Sequence, residues 1–395
     1  MESSLNAGKI NTYINDLAPL LFKFREDLHR NPELSWNEFK TTRKIENTLK
    51  ENGIDNFKKP LKTGGYIDLS KSKNTQYLLF RGDIDALPIT DLKTKQYASQ
   101  NKGICHACGH DVHTTVILGL AILLNRINIK LPFNFRLVFQ PAEEPIPGGA
   151  KEMIANGILE NVKYAFGIHV DPRIELGTIS LTDGWVNMQS NRINFELTGP
   201  GGHSAYPFKT KDLIWIATRI IQDSYQIIYR EFDNLHNPII LTFTEINCAE
   251  GYNIIASKLT MTATLRLSDP KIKNKFYKRF NQLLSTFEDE SNCKIKLDIT
   301  EGAPAVFNDP ELINKLQKNA QLKSLKHFKV DKGFRTPGGD DFGYYSEKVN
   351  SALIRIGTKK EGYTGGLHTG YFDVPNEAIL NGLSFLIHQI LNFEK

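Results

Sequence analysis

The spacing of apolar residues predicts two helices in the first 50 positions. Leu20, Leu21, Phe24 and Leu28 recur at helical intervals. The Asn31-Pro32 pair predicts a turn, after which a second amphipathic run begins. The first 50 residues are therefore predicted to be helical, and their pattern alone indicates no catalytic or binding residue.

Short apolar runs then alternate with helical patterns up to about residue 186. Strands are predicted in QYLLFRGDID, FNFRLVFQ and YAFGIHV, and helices in VILGLAILLNR and AKEMIANGIL. After about residue 305 the chain returns to a helix, the strand SALIRIG and a final helix that ends near Phe393. This alternation is typical of an α/β domain with a mostly parallel sheet.

The middle of the chain follows a different pattern. Its elements are NRINFELTG, a helix near 211–231, IILTFTEI, KLTMTATLRLS, a helix near 270–290 and CKIKLDIT. The order βαββαβ is that of a ferredoxin-like α+β domain. Because a chain of 395 residues is long enough for two domains, we predict one α/β domain at 1–186 and 304–395, and an inserted domain at 187–303.

Composition and charge exclude several classes of protein. Hydrophobic residues make up 40% of the chain, charged residues 24%, and the formal net charge is +5, which is ordinary globular composition without the dense basic patch of a nucleic-acid-binding protein. The N-terminal stretch lacks the pattern of a signal peptide, and no run of about 18 apolar residues predicts a membrane helix. Four cysteines are too few for a disulfide framework, so we expect a cytoplasmic protein.

Acidic and histidine residues cluster where the predicted strands end. The residues in question are Asp83, Asp85, Glu143, Glu144, His169 and His368, and the segment CHACGHDVH adds Cys108 and His110 at the start of a helix expected near Val112. Ligands of open α/β sheets bind beyond the carboxyl ends of the strands. Thiolate, imidazole and carboxylate together form a ligand set for a transition metal, and burying so many charged groups would be costly without one.

The segment CHACGHDVH allows two other interpretations. Cys105 and Cys108 form a C-x-x-C pair typical of redox proteins, and with His110 and His113 they could form one closed structural zinc site. The redox interpretation lacks a thioredoxin-sized unit around the motif. A closed zinc site would leave the two glutamates and His368 unexplained, so we expect Cys105 to be a small packing residue.

The chain resembles a known family in nine stretches. They are LHRNPELSWNE, RGDIDALPI, HACGHDVHT, FQPAEE followed by PGGA, GIHV, GPGGHSAYP, YNIIASKLTMTATLR, GGDDF and LHTGYFDV. In this order they resemble the aminoacylase/carboxypeptidase family of dinuclear metallopeptidases, in particular its amidohydrolase branch of hippurate hydrolases, auxin-conjugate hydrolases and N-acetyldiaminopimelate deacetylases. The chain departs from the family pattern at Cys105, Pro145 and Gly370, where Met, Gly and Pro are common, and these departures bear on substrate preference.

This resemblance implies a zinc-peptidase-like catalytic domain, an inserted lid that mediates homodimer formation, and two divalent ions in each subunit. The implied ions are manganese or zinc, and the ligand types also suit nickel or cobalt. The implied metal ligands are Cys108, as the bridging ligand, with His110, Glu144, His169 and His368. Glu143 would be the unligated general base, Asp85 and Asp83 would orient the ligands, and His203, Asn253 and Arg266 would contact the substrate.

The implied function is hydrolysis of the amide bond of an N-acyl amino acid by a metal-activated water. Glu143 would accept the proton of this water, His203 would stabilise the oxyanion, and Arg266 or Asn253 would hold the α-carboxylate. A specific N-acetyldiaminopimelate deacetylase or a dipeptidase is an alternative within the same class. A metal-binding protein without catalysis is an alternative of another class, which the intact Glu143 argues against.

Overall fold

The computed structural model describes residues 7–393, apart from residues 128, 249 and 364. The first six residues, part of the stretch in which no signal peptide was expected, lie outside this range. The chain divides into two compact units. The first unit comprises Met1–Val186, Val306–Arg335 and Asp341–Lys395, and the second comprises Asn187–Ala305 and Thr336–Asp340.

The described elements are numbered along the chain. The helices are α1 (Ala7–Arg30), α2 (Phe39–Glu51), α3 (His110–Arg126), α4 (Gly149–Ala155), α5 (Leu213–Glu231), α6 (Pro270–Ser291), α7 (Pro310–Asn319), α8 (Gly343–Ser346) and α9 (Glu377–Leu391). The strands are β1 (Gly65–Leu69), β2 (Tyr77–Asp83), β3 (Asn134–Gln140), β4 (Val162–Glu175), β5 (Thr178–Ser180), β6 (Gly184–Trp185), β7 (Gln189–Thr198), β8 (Gly202–His203), β9 (Ile239–Asn247), β10 (Ile254–Ile255), β11 (Lys258–Leu267), β12 (Lys294–Thr300), β13 (Phe307–Asn308), β14 (Lys329–Asp331) and β15 (Ser351–Lys359).

The main sheet of the first unit has the order β1-β3-β2-β4-β15-β5-β14. Its central strands β3, β2, β4 and β15 are parallel to one another, whereas β1 joins β3 antiparallel. Buried on both faces, these strands consist of continuous apolar runs instead of alternating ones. The prediction of a mostly parallel α/β sheet is confirmed.

Helix α3 is the central helix of the first unit. Every residue from His110 to Leu124 is buried, which explains why the run VILGLAILL has no polar face. A β-carbon at Gly119 would lie 3.0 Å from Leu21 and 3.1 Å from Leu383, so this glycine lets α1 and α9 pack closely on either side. The helix that brings CHACGHDVH to the sheet is therefore held rigidly in the core.

Gly109 sets the point at which α3 begins. Its φ of 86° lies in the left-handed region, which favours glycine. A β-carbon there would also lie only 2.4 Å from Val170. The turn places Cys108 before the helix and His110 at its first position, not at Val112 as expected from the sequence.

The second unit contains an antiparallel sheet of order β12-β7-β11-β9. Helices α5 and α6 contribute Ile216, Ile220, Phe276 and Phe280 to its core. The elements follow the order β, α, β, β, α, β, with the short pair β8–β10 in addition. This unit reaches Ala305 and includes 336–340, which the predicted insertion of 187–303 did not contain.

The added segment 336–340 is hydrogen-bonded within the second unit. The side-chain amide of Asn187 donates to the carbonyl oxygen of Gly338 at 3.0 Å, and Arg266 donates to the carbonyl oxygen of Pro337 at 2.7 Å. These contacts join positions about 70 to 150 residues apart in the chain.

No helix within the described ranges combines the length and the apolar character that crossing a bilayer requires.

Candidate metal centre

The carboxyl ends of the parallel strands deliver the predicted residues to one edge of the sheet. Asp83 is the last residue of β2, and Glu143 and Glu144 follow β3 by three and four positions. His169 differs from the prediction, because β4 continues to Glu175 and the histidine lies inside the strand rather than after it. His368 follows β15 at the end of a longer loop, and its φ of 61° is in the left-handed region.

The five predicted metal ligands lie together. Sγ of Cys108 is 3.5 Å from Nε2 of His169, and Oε1 of Glu144 is 3.9 Å from Nε2 of His110 and 3.5 Å from Nε2 of His368. Among the described groups whose ligand atoms lie within 4.8 Å of one another, two contain Cys108: Cys108, His110 and His169, and Cys108, Glu144 and His368. Cys108 belongs to both groups, as a ligand that bridges two ions would.

Both buried histidines of this cluster present Nε2 to its centre. Nδ1 of His169 donates to the carbonyl oxygen of Val170 at 2.6 Å, and Nδ1 of His110 lies 3.1 Å from the Asp85 carboxylate. In each ring Nδ1 is therefore occupied by a hydrogen bond, and Nε2 is the atom that a metal would contact. Nε2 of His110 and Oε1 of Glu144 are buried without a hydrogen-bond partner, so the residues fit a bound cation.

The electrostatics of the cluster also favour a cation. Burial, opposed by the charge of His110, raises the pKa of Glu144 to about 7, and burial raises the pKa of the Cys108 thiol well above its ordinary value. A cation among these atoms would favour the thiolate and the carboxylate, because the charged forms are its ligands. The donor set of thiolate, imidazole and carboxylate is that of a transition metal.

The two aspartates have different contacts. Asp85 accepts hydrogen bonds from the Ser35 hydroxyl at 2.6 Å and from the backbone N–H of Glu144 at 3.2 Å, so it contacts both a ligand histidine and the loop that carries the glutamates. Asp83 lies 2.6 Å from Nδ1 of His113. Burial alone would raise the pKa of Asp83, but the charges of His110 and Arg81 hold this pKa well below its ordinary value.

His113 does not fit a closed zinc site formed by CHACGHDVH. Its Nδ1 donates to Asp83, and its Nε2 accepts the backbone N–H of Val170 at 2.8 Å. Both ring nitrogens are therefore used, and no lone pair is left for an ion. Cys105 is fully buried, and burial raises the pKa of its thiol to about 11, as expected for an unreactive packing residue.

Glu143 is absent from the two groups that contain Cys108, but its carboxylate lies within 4.8 Å of the ligand atoms of His110 and Glu144. Its side chain is only 11% exposed, and Oε2 is 3.9 Å from Nε2 of His110. Its other oxygen, Oε1, accepts the backbone N–H of Asp341 at 3.3 Å. A carboxylate in this place can exchange a proton with a water held between the ligand atoms.

Sequence reasoning missed several residues that support the cluster. Arg81 is fully buried and lies 2.7 Å from Asp83 and 2.6 Å from Asp341. Glu38, also fully buried, accepts the backbone N–H of Ala142 at 2.8 Å. One signal was present in the sequence: Arg81 and Asp83 are two positions apart on a strand, so their side chains share a face.

The three predicted substrate-contacting residues belong to the second unit. His203 and Asn253 are brought together there, because β8 pairs with β10 and the backbone N–H of Ser204 donates to the carbonyl oxygen of Asn253. The side chain of His203 is exposed, and its Nδ1 accepts the backbone N–H of Ala205 at 3.1 Å. Arg266 lies on β11, and one of its guanidinium N–H groups donates to the carbonyl oxygen of Pro337.

Comparison with known families gives a match to the model described as peptidase family M20/M25/M40, over residues 79–392. An N-acetyl-L-cysteine deacetylase of Bacillus subtilis is 34% identical, with 94% of this chain and 88% of the relative covered. An IAA-amino acid hydrolase of Arabidopsis thaliana is 30% identical, with 97% and 92% covered.

Solved structures show the same fold. A protein of methicillin-resistant Staphylococcus aureus, described as a candidate aminohydrolase, superposes with a TM-score of 0.93 at 27% identity, over 99% of this chain and 100% of the other. A Bacillus subtilis protein described as a dinuclear metal-binding peptidase of the M20 family gives a TM-score of 0.84 at 27% identity, over 96% and 99%. The likeness extends over both units of the chain.

Proposed function

The chain belongs to the M20/M25/M40 peptidase family and is a hydrolase of amide bonds, and from this premise we propose that it removes the acyl group of N-acylated amino acids. The resemblance found in the sequence motifs is thereby confirmed. The observation that carries the proposal is the position of Glu143, a carboxylate beside five ligand side chains, where a general base is needed. The relatives named N-acetyl-L-cysteine deacetylase and IAA-amino acid hydrolase support this substrate class.

We propose that two divalent ions, manganese or zinc, are held by Cys108 as the shared ligand and by His110, Glu144, His169 and His368. Bound ions supply Lewis acidity for the amide carbonyl and lower the pKa of the attacking water. Asp85 keeps the His110 imidazole in the tautomer that presents Nε2, and the carbonyl of Val170 does the same for His169. The protein thus prearranges the ligand atoms before any ion arrives.

Glu143 accepts the proton of the water as it attacks, and transfers that proton to the leaving nitrogen. A free amino acid and a carboxylate are released. We propose that His203 stabilises the oxyanion and that Arg266 or Asn253 holds the α-carboxylate of the substrate. Arg266 suits this role because a guanidinium has five donors in a fork that matches a carboxylate, and one of them donates to the carbonyl oxygen of Pro337.

We further propose that the second unit is a lid through which two copies form a homodimer. Strand β9 is an edge strand of its sheet, and Ile240 and Ile246 on it are exposed. Trp215 and Tyr229 on α5 are also exposed. An open edge beside apolar side chains is suited to pairing with a second strand.

We also propose a cytoplasmic location, which the four free cysteines support.

The test is amine release by metal-stripped protein to which manganese or zinc is returned. The panel contains N-acetyl, N-benzoyl and N-indoleacetyl amino acids, N-acetyldiaminopimelate and a dipeptide. Metal-dependent release from the N-acyl amino acids is expected. Release from N-acetyldiaminopimelate alone, or from the dipeptide alone, would assign the narrower deacetylase or the dipeptidase. Protein that binds two ions but cleaves nothing would favour metal binding without catalysis.

A further inference from the structure

We propose that Asp341, which lies outside the ligand set, is a positioning residue that holds the general base Glu143 in place. This inference rests on the proposed function of Glu143. The two residues touch directly, because the backbone N–H of Asp341 donates to Oε1 of Glu143 at 3.3 Å. Asp341 reaches the base from the GGDDF segment, 198 positions further along the chain.

The carboxylate of Asp341 is itself fixed from several sides. It lies 2.6 Å from the Arg81 guanidinium, and the Gln140 amide donates to both of its oxygens at 2.8 Å. The backbone N–H of Ala150 donates to Oδ2 at 3.0 Å. Asp341 is only 2% exposed and Arg81 is fully buried. A buried ion pair with this many hydrogen bonds allows little movement of the backbone that carries it.

The loop that carries both glutamates is closed against the same carboxylate. The backbone N–H of Gly149 donates to the carbonyl oxygen of Ala142 at 2.7 Å, which joins the two ends of the loop. A β-carbon on Gly148 would lie 2.4 Å from Oδ2 of Asp341. Asp341 therefore holds the loop at two points. Its carboxylate accepts the backbone N–H of Ala150 at the end of the loop, and its own backbone N–H donates to the carboxylate of Glu143.

The guanidinium of Arg81 connects this arrangement to the metal side of the cluster. Besides Asp341, it contacts Asp83 at 2.7 Å, and Asp83 in turn holds His113. The N–H of Val170 donates a hydrogen bond to His113, and the carbonyl oxygen of Val170 accepts one from Nδ1 of His169. The base and a ligand histidine are thus positioned by one buried network that the reaction itself does not use.

A role in positioning can be separated from a role in folding by kinetics. Asp341→Asn keeps the side-chain shape but removes the charge that pairs with Arg81. Because misplacing a reacting group by about 1 Å costs on the order of 100-fold in rate, we expect kcat to fall by roughly 10- to 100-fold. KM should change by less than about threefold, and two ions should still be bound, as measured by elemental analysis.

The matched control is Asp68→Asn. Asp68 also forms a bidentate pair with a mostly buried arginine, Arg136, at 2.8 and 3.0 Å, but at the edge of the sheet on β1. This variant should lose stability without a change in kcat. A second test variant, Gly148→Ala, displaces the Asp341 carboxylate by contact and leaves every charge in place, so it decides the question if Asp341→Asn does not fold.

The outcomes are distinct. A lower kcat with normal KM and ion content in Asp341→Asn or in Gly148→Ala, together with normal kcat in Asp68→Asn, supports the proposal. Wild-type kcat in both test variants overturns it, and so does a loss of rate that merely follows a loss of bound ions. The wild-type protein is assayed alongside to tell the two failures apart: a wild type that cleaves no substrate refutes the proposed function, whereas an active wild type with unaffected test variants refutes the positioning role alone.

Discussion

The carboxylate of Asp85 lies 3.1 Å from Nδ1 of His110, with both side chains buried. The same carboxylate accepts the backbone N–H of Glu144 at 3.2 Å and the Ser35 hydroxyl at 2.6 Å. One side chain therefore sets the tautomer of a ligand histidine and the position of a ligand glutamate. This arrangement has a measurable consequence for ion binding.

Asp85→Asn should weaken the binding of manganese or zinc by about 10- to 100-fold, as is typical when the partner of a ligand histidine is lost. Calorimetric titration of the metal-stripped protein measures this affinity. Asp55→Asn, at an exposed loop position, is the control and should bind both ions as wild type does. Unchanged affinity in Asp85→Asn would mean that Asp85 supports the fold and not the ligands.

The adjacent Glu143 and Glu144 should behave oppositely when each is replaced by Gln. Glu143→Gln is expected to keep two ions and to lose roughly 10²- to 10⁴-fold in kcat, the range for loss of a general base. Glu144→Gln should lose an ion, because Oε1 of Glu144 faces the imidazoles of both His110 and His368. Elemental analysis and steady-state rates on the same samples separate the two roles. Near-normal turnover in Glu143→Gln would refute its assignment as the base.

Ion binding should raise thermal stability, since an ion that binds only the folded chain stabilises it by about 2.7 kcal/mol at 100 times Kd. In Cys108→Ser this rise in Tm should shrink strongly, because Cys108 is the residue shared by the groups Cys108–His110–His169 and Cys108–Glu144–His368. Cys105→Ala is the matched control three positions away, and its rise should equal that of wild type. An equal loss in both variants would revive the interpretation in which both cysteines bind one zinc ion.

The sequence predicted the parts of the site that lie in continuous motifs. The acids after β2 and β3 and the histidine at the start of α3 were found because strand ends are recognisable in the chain. Contacts across long sequence separations were not found. Arg81 and Asp341 are 260 residues apart, and no local pattern indicates that one buried charge is paired with another so distant. The continuation of β4 past His169 was not predicted either, because polar residues after Val170 are typical of a strand end, although Asp171 and Glu175 pair with β15.

Glu38 should make the stability of the metal-stripped protein depend on pH. Burial, with a smaller contribution from the Asp85 charge, raises the pKa of Glu38 from 4.5 to about 7. A carboxyl with a raised folded-state pKa contributes stability that is complete below pH 4.5 and is lost as pH rises through about 7. The loss is limited to about 3 kcal/mol, since one pKa unit corresponds to about 1.4 kcal/mol.

Glu38→Gln cannot ionise and keeps an oxygen that can accept the Ala142 N–H. Its stability relative to wild type should therefore increase between about pH 5 and pH 8. Urea unfolding at a series of pH values, with a chelator present, measures the difference. Glu46→Gln, which removes only an ion pair with Lys59 at the surface, is the control. A difference between Glu38→Gln and wild type that does not vary with pH would contradict the raised pKa.

The exposed His203 of the second unit allows a test of whether one subunit completes the site of another. Glu143→Ala and His203→Ala subunits are each expected to be inactive alone. If His203 acts across the dimer, random pairing gives mixed dimers with one intact site and about a quarter of the wild-type activity. Ile240→Lys on the exposed edge strand β9 should weaken the dimer and abolish this recovery, because a charge on an edge opposes strand pairing. Mixed dimers that are verified by mass and remain inactive would place His203 in its own subunit's site or outside catalysis.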